Sequence, residues 1–380
     1  MDYRDSPGEA AFRTRLRDWL RDNNPRLPAS STSDDYWAGQ AAWHRSLYDA
    51  GFFGMSWPVE AGGQGLSTGY DVIVDEELAV AGAPPRPSVG YLVEGILRHG
   101  SDGIRHRFLP GIVSGRDRWC QGFSEPEAGS DLAALRTRAR PDGDGYLVTG
   151  HKVWTSYSDD AQWCLLLART DPDAPRHRGL SAFALPMRQP GVTRRPLRMI
   201  NGITKEFGEV ILDGARVPAA NMVGAPGEGW RLAMTIVSHE REPSQLGYVA
   251  RYSKTVAELA RQVRAAPARY GAEALRDLAW AVVEADMLRL HVRRRLSDRL
   301  DGAADGPEGS VDKLLMTAVE QAVGHAALAV GGAAHGGGDD TWLKLYLYSR
   351  AQSVMGGTSE IQRNLVATRL LGLPSPPAGR

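Results

Sequence analysis

The chain has 380 residues, of which 42% are hydrophobic and 24% charged, so it is long enough for two or three soluble globular domains. Lys plus Arg number 45, as do Asp plus Glu, and this balance gives no overall field that would attract nucleic acid or an anionic membrane. The basic run at 288–300 spaces leucine and valine among its arginines at helical intervals, which indicates a solvated helix face. The composition therefore predicts neither partner.

The two cysteines and the N-terminal residues indicate the cellular compartment. Cys120 and Cys164 each lie in an apolar segment, which favours neither a disulfide framework nor a thiolate metal site. The first five residues carry charges, and no run approaches the roughly 18 apolar residues that a membrane span needs. We therefore expect a soluble, cytoplasmic protein that binds neither metal nor membrane.

Residues 1–118 carry helical signals. Ser6, Pro7 and Glu9 have the arrangement of a capping box at the start of a helix. Helical periodicity continues through three further stretches, "YWAGQAAWHRSLYDAG", "YDVIVDEELAVAG" and "YLVEGILRHG". These patterns predict an N-terminal helical domain.

From Trp119 the pattern changes to short runs rich in β-forming residues, separated by turn residues. These runs are "YLVTGHKVWTS", "QWCLLLART", "LSAFALP", "GVTRRPLRM" and "FGEVILDGARVP". They predict a small all-β domain, and long helical patterns return after it. One apolar helix stripe is predicted to comprise Leu275, Leu278, Val282, Val283, Leu288 and Leu290. The predicted order is α, β, α.

The segment "GFSEPEAGSD" at 122–131 is a loop of small and acidic residues, which by itself indicates a well-capped turn. In this order and length it resembles the signature of the acyl-CoA dehydrogenase family. Family-like segments lie in the expected order along nearly the whole chain, namely "WPVEAGGQG", "GHKVWTS", "DGARVPAANMVG" and "GGTSEIQRN". The resemblance implies the acyl-CoA dehydrogenase fold, which is mainly α with a central β-barrel. Its domains would be an N-terminal helical domain at 1–118, a β-barrel at 119–223 and a C-terminal helical domain at 224–380.

The resemblance also implies FAD and the residues that hold it in the middle domain. It places Phe123, Ser124, Ser130, Trp154, Thr155 and Ser156 at the cofactor. Ser130 would also contact the substrate, and the Ser156 hydroxyl would point to flavin N5. The indole of Trp154 would give the flavin a flat apolar wall. Considered alone, Trp154 is better explained as an ordinary core aromatic, and only its place inside the matched segment favours the flavin role.

In the C-terminal domain the resemblance implies cofactor contacts from Gly331, Gly332, Thr358 and Glu360. A plain helix N-cap is an alternative role for Thr358, and it is compatible with a cofactor contact. A carboxylate is unfavourable near phosphates, so the Glu360 side chain is expected to face elsewhere.

The reaction implied by the resemblance removes the α-proton of an acyl thioester while hydride leaves the β-carbon for flavin N5. The best-known members carry the carboxylate base immediately before the Gly-Thr pair, where this chain has Gly356. The Gly356 N–H would still hold the thioester oxygen. A second arrangement in the family places the base on an early C-terminal helix before an arginine, which implies Glu240 as the base and Arg241 as a substrate contact. The alternative is that these two charges form a solvated helix face.

Three functions remain open. The leading one is FAD-dependent dehydrogenation of a CoA or carrier-protein thioester, with electrons passing to an electron-transfer flavoprotein. The second is a flavin-dependent oxygenase or oxidase on the same fold. The third is a half-site subunit of a heteromeric acyl-CoA dehydrogenase, because Leu328 stands where many members carry glutamine. The expected assembly is a homodimer, a homotetramer, or a heterotetramer with a related subunit. The small Gly356 favours a branched or cyclic acyl group.

Overall fold

The computed structural model describes residues 5–25, 27, 34–239, 246–300, 306–334 and 341–375. The helices are Pro7–Asn23 (α1), Asp34–Asp49 (α2), Thr68–Ala81 (α3), Gly90–His99 (α4), Asp102–Val113 (α5), Gly229–His239 (α6), Leu246–Ala265 (α7), Ala272–Leu300 (α8), Gly309–Ala334 (α9), Thr341–Ser349 (α10) and Ser359–Leu365 (α11). The strands are Trp119–Gly122 (β1), Arg138–Asp142 (β2), Gly145–Ser156 (β3), Trp163–Arg169 (β4), Leu180–Pro186 (β5), Val192–Pro196 (β6), Phe207–Pro218 (β7) and Met222–Val223 (β8).

Local sequence signals set several helix ends. The predicted capping box at α1 is confirmed, since the Glu9 N–H donates to Ser6 Oγ and the Ser6 N–H donates to Glu9 Oε2. The helix α3 ends at Gly82, whose φ of 66° suits a glycine C-cap. The sequence pattern did not predict α5, which holds Pro110 in its interior. Ser101 caps that helix by accepting from the Ile104 N–H.

The chain divides into two compact units. One, the helical unit, comprises 1–26, 67–86 and 241–380, and the other, the sheet unit, comprises 27–66 and 87–240. The helical unit therefore holds α1, α3 and α7–α11, and the sheet unit holds the remaining helices and every strand. The domain boundaries drawn from the sequence stay a prediction.

The eight strands form one sheet in the order β6-β7-β3-β2-β4-β5-β8, with β1 paired in parallel to β4. The strand β4 is buried over Cys164–Ala168, as expected for a strand that has both faces covered. The antiparallel pair of β3 and β7 shifts register between Lys152 and Thr155. That shift is a β-bulge, and it places Trp154 where β3 bends.

Each unit has its own core. In the sheet unit, apolar side chains of α4 and α5 pack with β1, β4, β5 and α6. In the helical unit, α7, α8 and α9 pack together. Part of the predicted stripe on α8 was wrong, because Leu275, Val283 and Leu290 are exposed. The buried face runs instead through Leu278, Ala281, Ala285, Leu288 and Val292, at the spacing of three and four residues that one helix face requires.

One helix among the described residues, at 309–332 within α9, is long and apolar enough by composition to cross a membrane. The sequence analysis predicted none. Its apolar window is 56% buried inside the protein, and Val319 and Val323 belong to the core of the helical unit. Lys313 and Glu320 on the same helix are buried with polar partners. This is the pattern of a core helix, which passes the same compositional test.

Candidate active site

A buried ion pair joins two of the motif segments inside the sheet unit. The Lys152 ammonium donates to Glu125 Oε1 at 2.8 Å and to the Phe123 carbonyl at 3.0 Å. Glu125 also accepts from the backbone N–H groups of Arg136 and Thr137, at 2.6 and 2.8 Å. The first half of the loop 122–131 is therefore tied both to β3 and to the residues just before β2.

Solvent is excluded from this pair, and its pKa values follow from that exclusion. Burial lowers the pKa of Lys152, and the Glu125 carboxylate opposes this effect. Burial raises the pKa of Glu125, but Lys152 and the backbone donors outweigh it and leave that pKa below its ordinary value. The sequence did not predict this ion pair, although Glu125 lies in the segment "GFSEPEAGSD" and Lys152 in "GHKVWTS".

Trp154 projects from β3 at the bulge. Its φ of 58° lies in the left-handed region, which a bulky residue rarely adopts. Its side chain is 63% exposed, so it is not the core aromatic that was the alternative reading. The preceding Val153 N–H donates to the Ser124 carbonyl at 3.0 Å, which brings this flat apolar wall beside the loop.

The hydroxyls of the predicted flavin site are placed differently from one another. Ser124 and Ser156 are half-buried and Ser130 is exposed, so all three have an accessible face. Thr155 is fully buried, and its Oγ1 lacks a hydrogen-bond partner among the described residues. The cofactor role of Thr155 stays a prediction.

In the helical unit, two consecutive glycines form the turn before α11. Gly356 and Gly357 have φ values of 65° and 89°, which explains why glycine occupies both positions. The buried Gln362 amide donates to both of their carbonyls, at 3.1 and 3.3 Å. Over the residues that the structure describes, no acceptor is found for the Gly356 N–H. That donor remains available for a ligand oxygen.

The other predicted cofactor residues of the helical unit are a helix N-cap, an exposed carboxylate and two glycines of α9. Thr358 is the N-cap of α11, since its Oγ1 accepts from the Ile361 N–H at 3.2 Å. The Glu360 carboxylate is 76% exposed and lies 3.6 Å from Arg363, so it faces solvent. Gly331 packs where a Cβ would meet Trp342, and Gly332 is exposed.

Glu240 and Arg241, the predicted base and substrate contact, lie outside the described residues. The helix that precedes them, α6, ends at His239. Its Nδ1 lies 2.9 Å from the Thr235 carbonyl and its Nε2 lies 3.2 Å from the Arg98 guanidinium. The His239 ring therefore links the end of α6 to α4.

The fold and the site together define a flavin-dependent oxidoreductase, and comparison with known proteins specifies which one. Three family models match in order: the acyl-CoA dehydrogenase N-terminal domain at 6–116, middle domain at 120–215 and C-terminal domain at 227–371. The chain belongs to the acyl-CoA dehydrogenase family.

Individual relatives agree over nearly the full length. The acyl-CoA dehydrogenase IpdE1 of Mycobacterium tuberculosis is 39% identical over 97% of this chain and 98% of its own. Among solved structures, the steroid ACAD Tcur3481-Tcur3483 matches with a TM-score of 0.85 and 27% identity, over 99% of this chain and 100% of that one. The ChsE4-ChsE5 complex from Mycobacterium tuberculosis matches with a TM-score of 0.81 and 26% identity, over 98% and 100%. The predicted fold is confirmed.

The family cofactor is FAD, and the residues present fit it. The sheet unit offers the exposed indole of Trp154 beside the accessible hydroxyls of Ser124 and Ser156. The helical unit offers the Gly356 N–H, which has no acceptor among the described residues and suits an anionic or carbonyl oxygen. Among the described residues no cluster suits a metal ion.

Proposed function

We propose that this protein catalyses the FAD-dependent α,β-dehydrogenation of an acyl thioester, carried on coenzyme A or a carrier protein, in the cytoplasm. Bound FAD supplies the acceptor for the hydride that leaves the β-carbon. The observation that carries the proposal is the exposed Trp154, held in a left-handed conformation next to a rigidly fixed motif loop. A protein that tolerates such backbone strain around an exposed aromatic has the arrangement of a ligand wall.

The chain's own residues divide the remaining work. The loop 122–131, held by Lys152, presents Ser130 to the substrate and Ser124 to the cofactor edge. The Gly356 N–H donates to the thioester oxygen as that oxygen gains negative charge, which lowers the barrier to α-proton removal. Glu240 takes the α-proton, and Arg241 contacts the substrate. Electrons then pass to an electron-transfer flavoprotein.

The visible absorption spectrum of the purified chain, followed by anaerobic addition of acyl-CoA thioesters, tests the proposal. Stoichiometric flavin that bleaches on addition of a thioester supports a dehydrogenase. Flavin that stays oxidised with every thioester, but is reduced by an amine or nitro compound with rapid oxygen consumption, would instead favour the oxidase class.

The base assignment has its own test. Glu240→Gln should slow anaerobic flavin reduction by about 10² to 10⁴-fold, the usual effect of removing a general base. Glu273→Gln removes an exposed carboxylate on α8, 85% accessible, and should leave the rate unchanged. Equal rates for wild type and Glu240→Gln would assign the base elsewhere.

The acyl group is proposed to be cyclic. Gly356 places no side chain over the reacting carbons, which leaves room for a branched or ring-bearing chain. The similar structure named as a steroid ACAD, at 27% identity, supports the cyclic choice. A panel of straight, branched and ring-bearing acyl-CoA thioesters decides it, and a preference for straight chains would contradict it.

A second candidate is a subunit of a heteromeric acyl-CoA dehydrogenase. Leu328 occupies the position where many members carry glutamine, and the ChsE4-ChsE5 structure is by its name a complex of two components. A colourless protein that gains flavin only when mixed with a related subunit would favour this candidate. A yellow homo-oligomer would exclude it.

A further inference from the structure

The direction of the Gly356 N–H is not fixed by the residue that carries it. Gly356 and Gly357 have φ values of 65° and 89°, and glycine has the widest backbone freedom of any residue. Two such residues in succession leave the turn before α11 with little stiffness of its own. An amide that is to donate to one particular oxygen therefore needs support from other side chains.

Gln362 supplies that support from α11. Its amide nitrogen lies 3.1 Å from the Gly356 carbonyl oxygen and 3.3 Å from the Gly357 carbonyl oxygen. Only the NH2 group of the side chain can serve two carbonyls, because it has two N–H donors. These bonds hold the two peptide planes that follow Gly356, one on each side of Gly357. They therefore restrict the turn on its C-terminal side.

The chain before Gly356 is held from α9. The Lys313 ammonium donates to the Gln352 carbonyl at 2.8 Å and to the Gln352 side-chain oxygen at 2.9 Å. Lys313 is buried, and its Cε would lie 3.6 Å from a Cβ placed at Gly356. The Met355 N–H donates to the Ala351 carbonyl at 2.9 Å. The peptide that carries the Gly356 N–H therefore lies between two anchored segments.

The Gln362 side chain lowers stability through one of its own atoms. It is fully buried, and its Oε1 has no hydrogen-bond partner among the described residues. An unpaired buried oxygen is destabilising, and a methionine of similar length would fill the same space without it. What the amide offers and methionine lacks is the pair of donors to the glycine turn.

We propose that Gln362 is a positioning residue for the reaction: it fixes the Gly356-Gly357 turn and thereby keeps the Gly356 N–H directed at the thioester oxygen. The assignment rests on the proposed function. Preset donors stabilise a developing oxyanion because they need no reorganisation when the charge appears. A donor on two mobile glycines would lose that advantage, since a displacement of about 1 Å can cost about 100-fold in rate. Gln362 acts through the backbone and not by contact with the thioester.

Anaerobic reduction of the bound flavin by an acyl-CoA, measured by rapid mixing, tests this role. Gln362→Met should lower the limiting rate per bound flavin about 10-fold, while the Kd of the thioester changes about 2-fold or less, because the donor acts mainly in the transition state. Gln321→Met is the matched control, since the Gln321 amide also donates to a backbone carbonyl of the helical unit, that of Ser349 at 3.4 Å. It should react as wild type does. Equal limiting rates in wild type and Gln362→Met would overturn the proposal.

An unreactive analogue separates positioning from a general loss of structure. An acyl-CoA with sulfur in place of the β-carbon can lose its α-proton but has no hydride to transfer, and its enolate beside oxidised flavin absorbs at long wavelength. At saturation the ratio of enolate to neutral analogue should fall about 10-fold in Gln362→Met. Gln362→Glu keeps the size of the side chain, and its carboxyl, protonated by burial, can donate to one carbonyl only, so its loss should be smaller. An unchanged ratio in both variants would contradict the role of Gln362 in oxyanion stabilisation.

Hydrogen exchange tests the turn without catalysis. The backbone amides at 353–358 should exchange about 10-fold faster in Gln362→Met than in wild type, and at the wild-type rate in Gln321→Met. Exchange at the wild-type rate in Gln362→Met would show that the turn is held without Gln362, and it would overturn the proposal. If no thioester reduces wild-type flavin, the proposed function fails, and the exchange experiment still tests whether Gln362 holds the turn.

Discussion

The Lys152 ammonium lies 2.8 Å from Glu125 Oε1 in a place where the Lys152 side chain has no solvent exposure. The two residues stand 27 positions apart, one in each of two motif segments. Their pairing ties the loop 122–131 to β3. The Val153 N–H, which donates to the Ser124 carbonyl, joins the same two segments beside Trp154.

Removing the Lys152 ammonium should lower the free energy of unfolding. Lys152→Met leaves the Glu125 carboxylate buried without its partner, and we expect a loss of about 3 to 5 kcal/mol of unfolding free energy. The double variant with Glu125→Gln should recover part of the loss, because an amide carries no charge to desolvate. Urea denaturation of the three proteins measures both effects. A double variant less stable than Lys152→Met alone would show that the carboxylate acts mainly through its backbone bonds.

A substitution at Trp154 should affect cofactor binding much more than it affects stability. Trp154→Gly removes a left-handed strain of about 1 to 2 kcal/mol but adds chain entropy of about 0.5 to 1 kcal/mol, so unfolding free energy should change by about 1 kcal/mol or less. The indole is exposed, so little packing is lost. Flavin affinity, followed by fluorescence titration, should fall at least 10-fold, as expected for the loss of an aromatic wall.

Trp154→Phe is the matched variant for this experiment. It keeps an aromatic face in the same backbone conformation, so its flavin affinity should lie within a few-fold of wild type. Equal losses in the phenylalanine and glycine variants would show that Trp154 does not act as a stacking wall.

The sequence specified local features well and tertiary ones poorly. The α1 cap and the strands β5 and β7 follow from residue patterns within a few positions, and they were predicted at their observed bounds. The ion pair of Lys152 and Glu125 and the left-handed Trp154 depend on the register of β3 against its neighbours, which no local pattern encodes. The apolar face of α8 was misread because alanines at 281 and 285, not larger side chains, complete it.

Gly356 and Gly332 should respond in opposite ways to the same substitution. A Cβ at Gly356 would lie 3.6 Å from Lys313 Cε, an ordinary contact, so Gly356→Ala costs backbone strain alone, about 1 to 2 kcal/mol. Gly332 lies in the helix α9, where alanine is favoured by about 0.5 to 1 kcal/mol. Thermal unfolding of Gly356→Ala and Gly332→Ala measures the two changes in stability. Stabilisation by Gly356→Ala would contradict the positive φ of this turn.

His44 should make stability depend on pH in weak acid. Its side chain is buried against Phe53, its Nε2–H donates to the Val113 carbonyl at 3.1 Å, and burial lowers its pKa to about 4. In the unfolded chain, His44 has an ordinary pKa of about 6.5. At a pH between the two pKa values, the unfolded chain therefore binds a proton that the folded chain does not bind. The stabilisation is therefore present above about pH 6.5 and is lost as the pH falls toward 4.

As the pH falls from 7 to 5, this difference in proton binding should lower the free energy of unfolding by about 2 kcal/mol. Urea unfolding of wild type and of His44→Gln at both pH values isolates it, because glutamine can still donate to the Val113 carbonyl but cannot titrate. We expect the pH-induced loss of stability to be smaller by about 2 kcal/mol in the variant. Equal losses in the two proteins would mean that His44 is protonated in the folded state, in conflict with its burial and its neighbours Arg45 and Arg118.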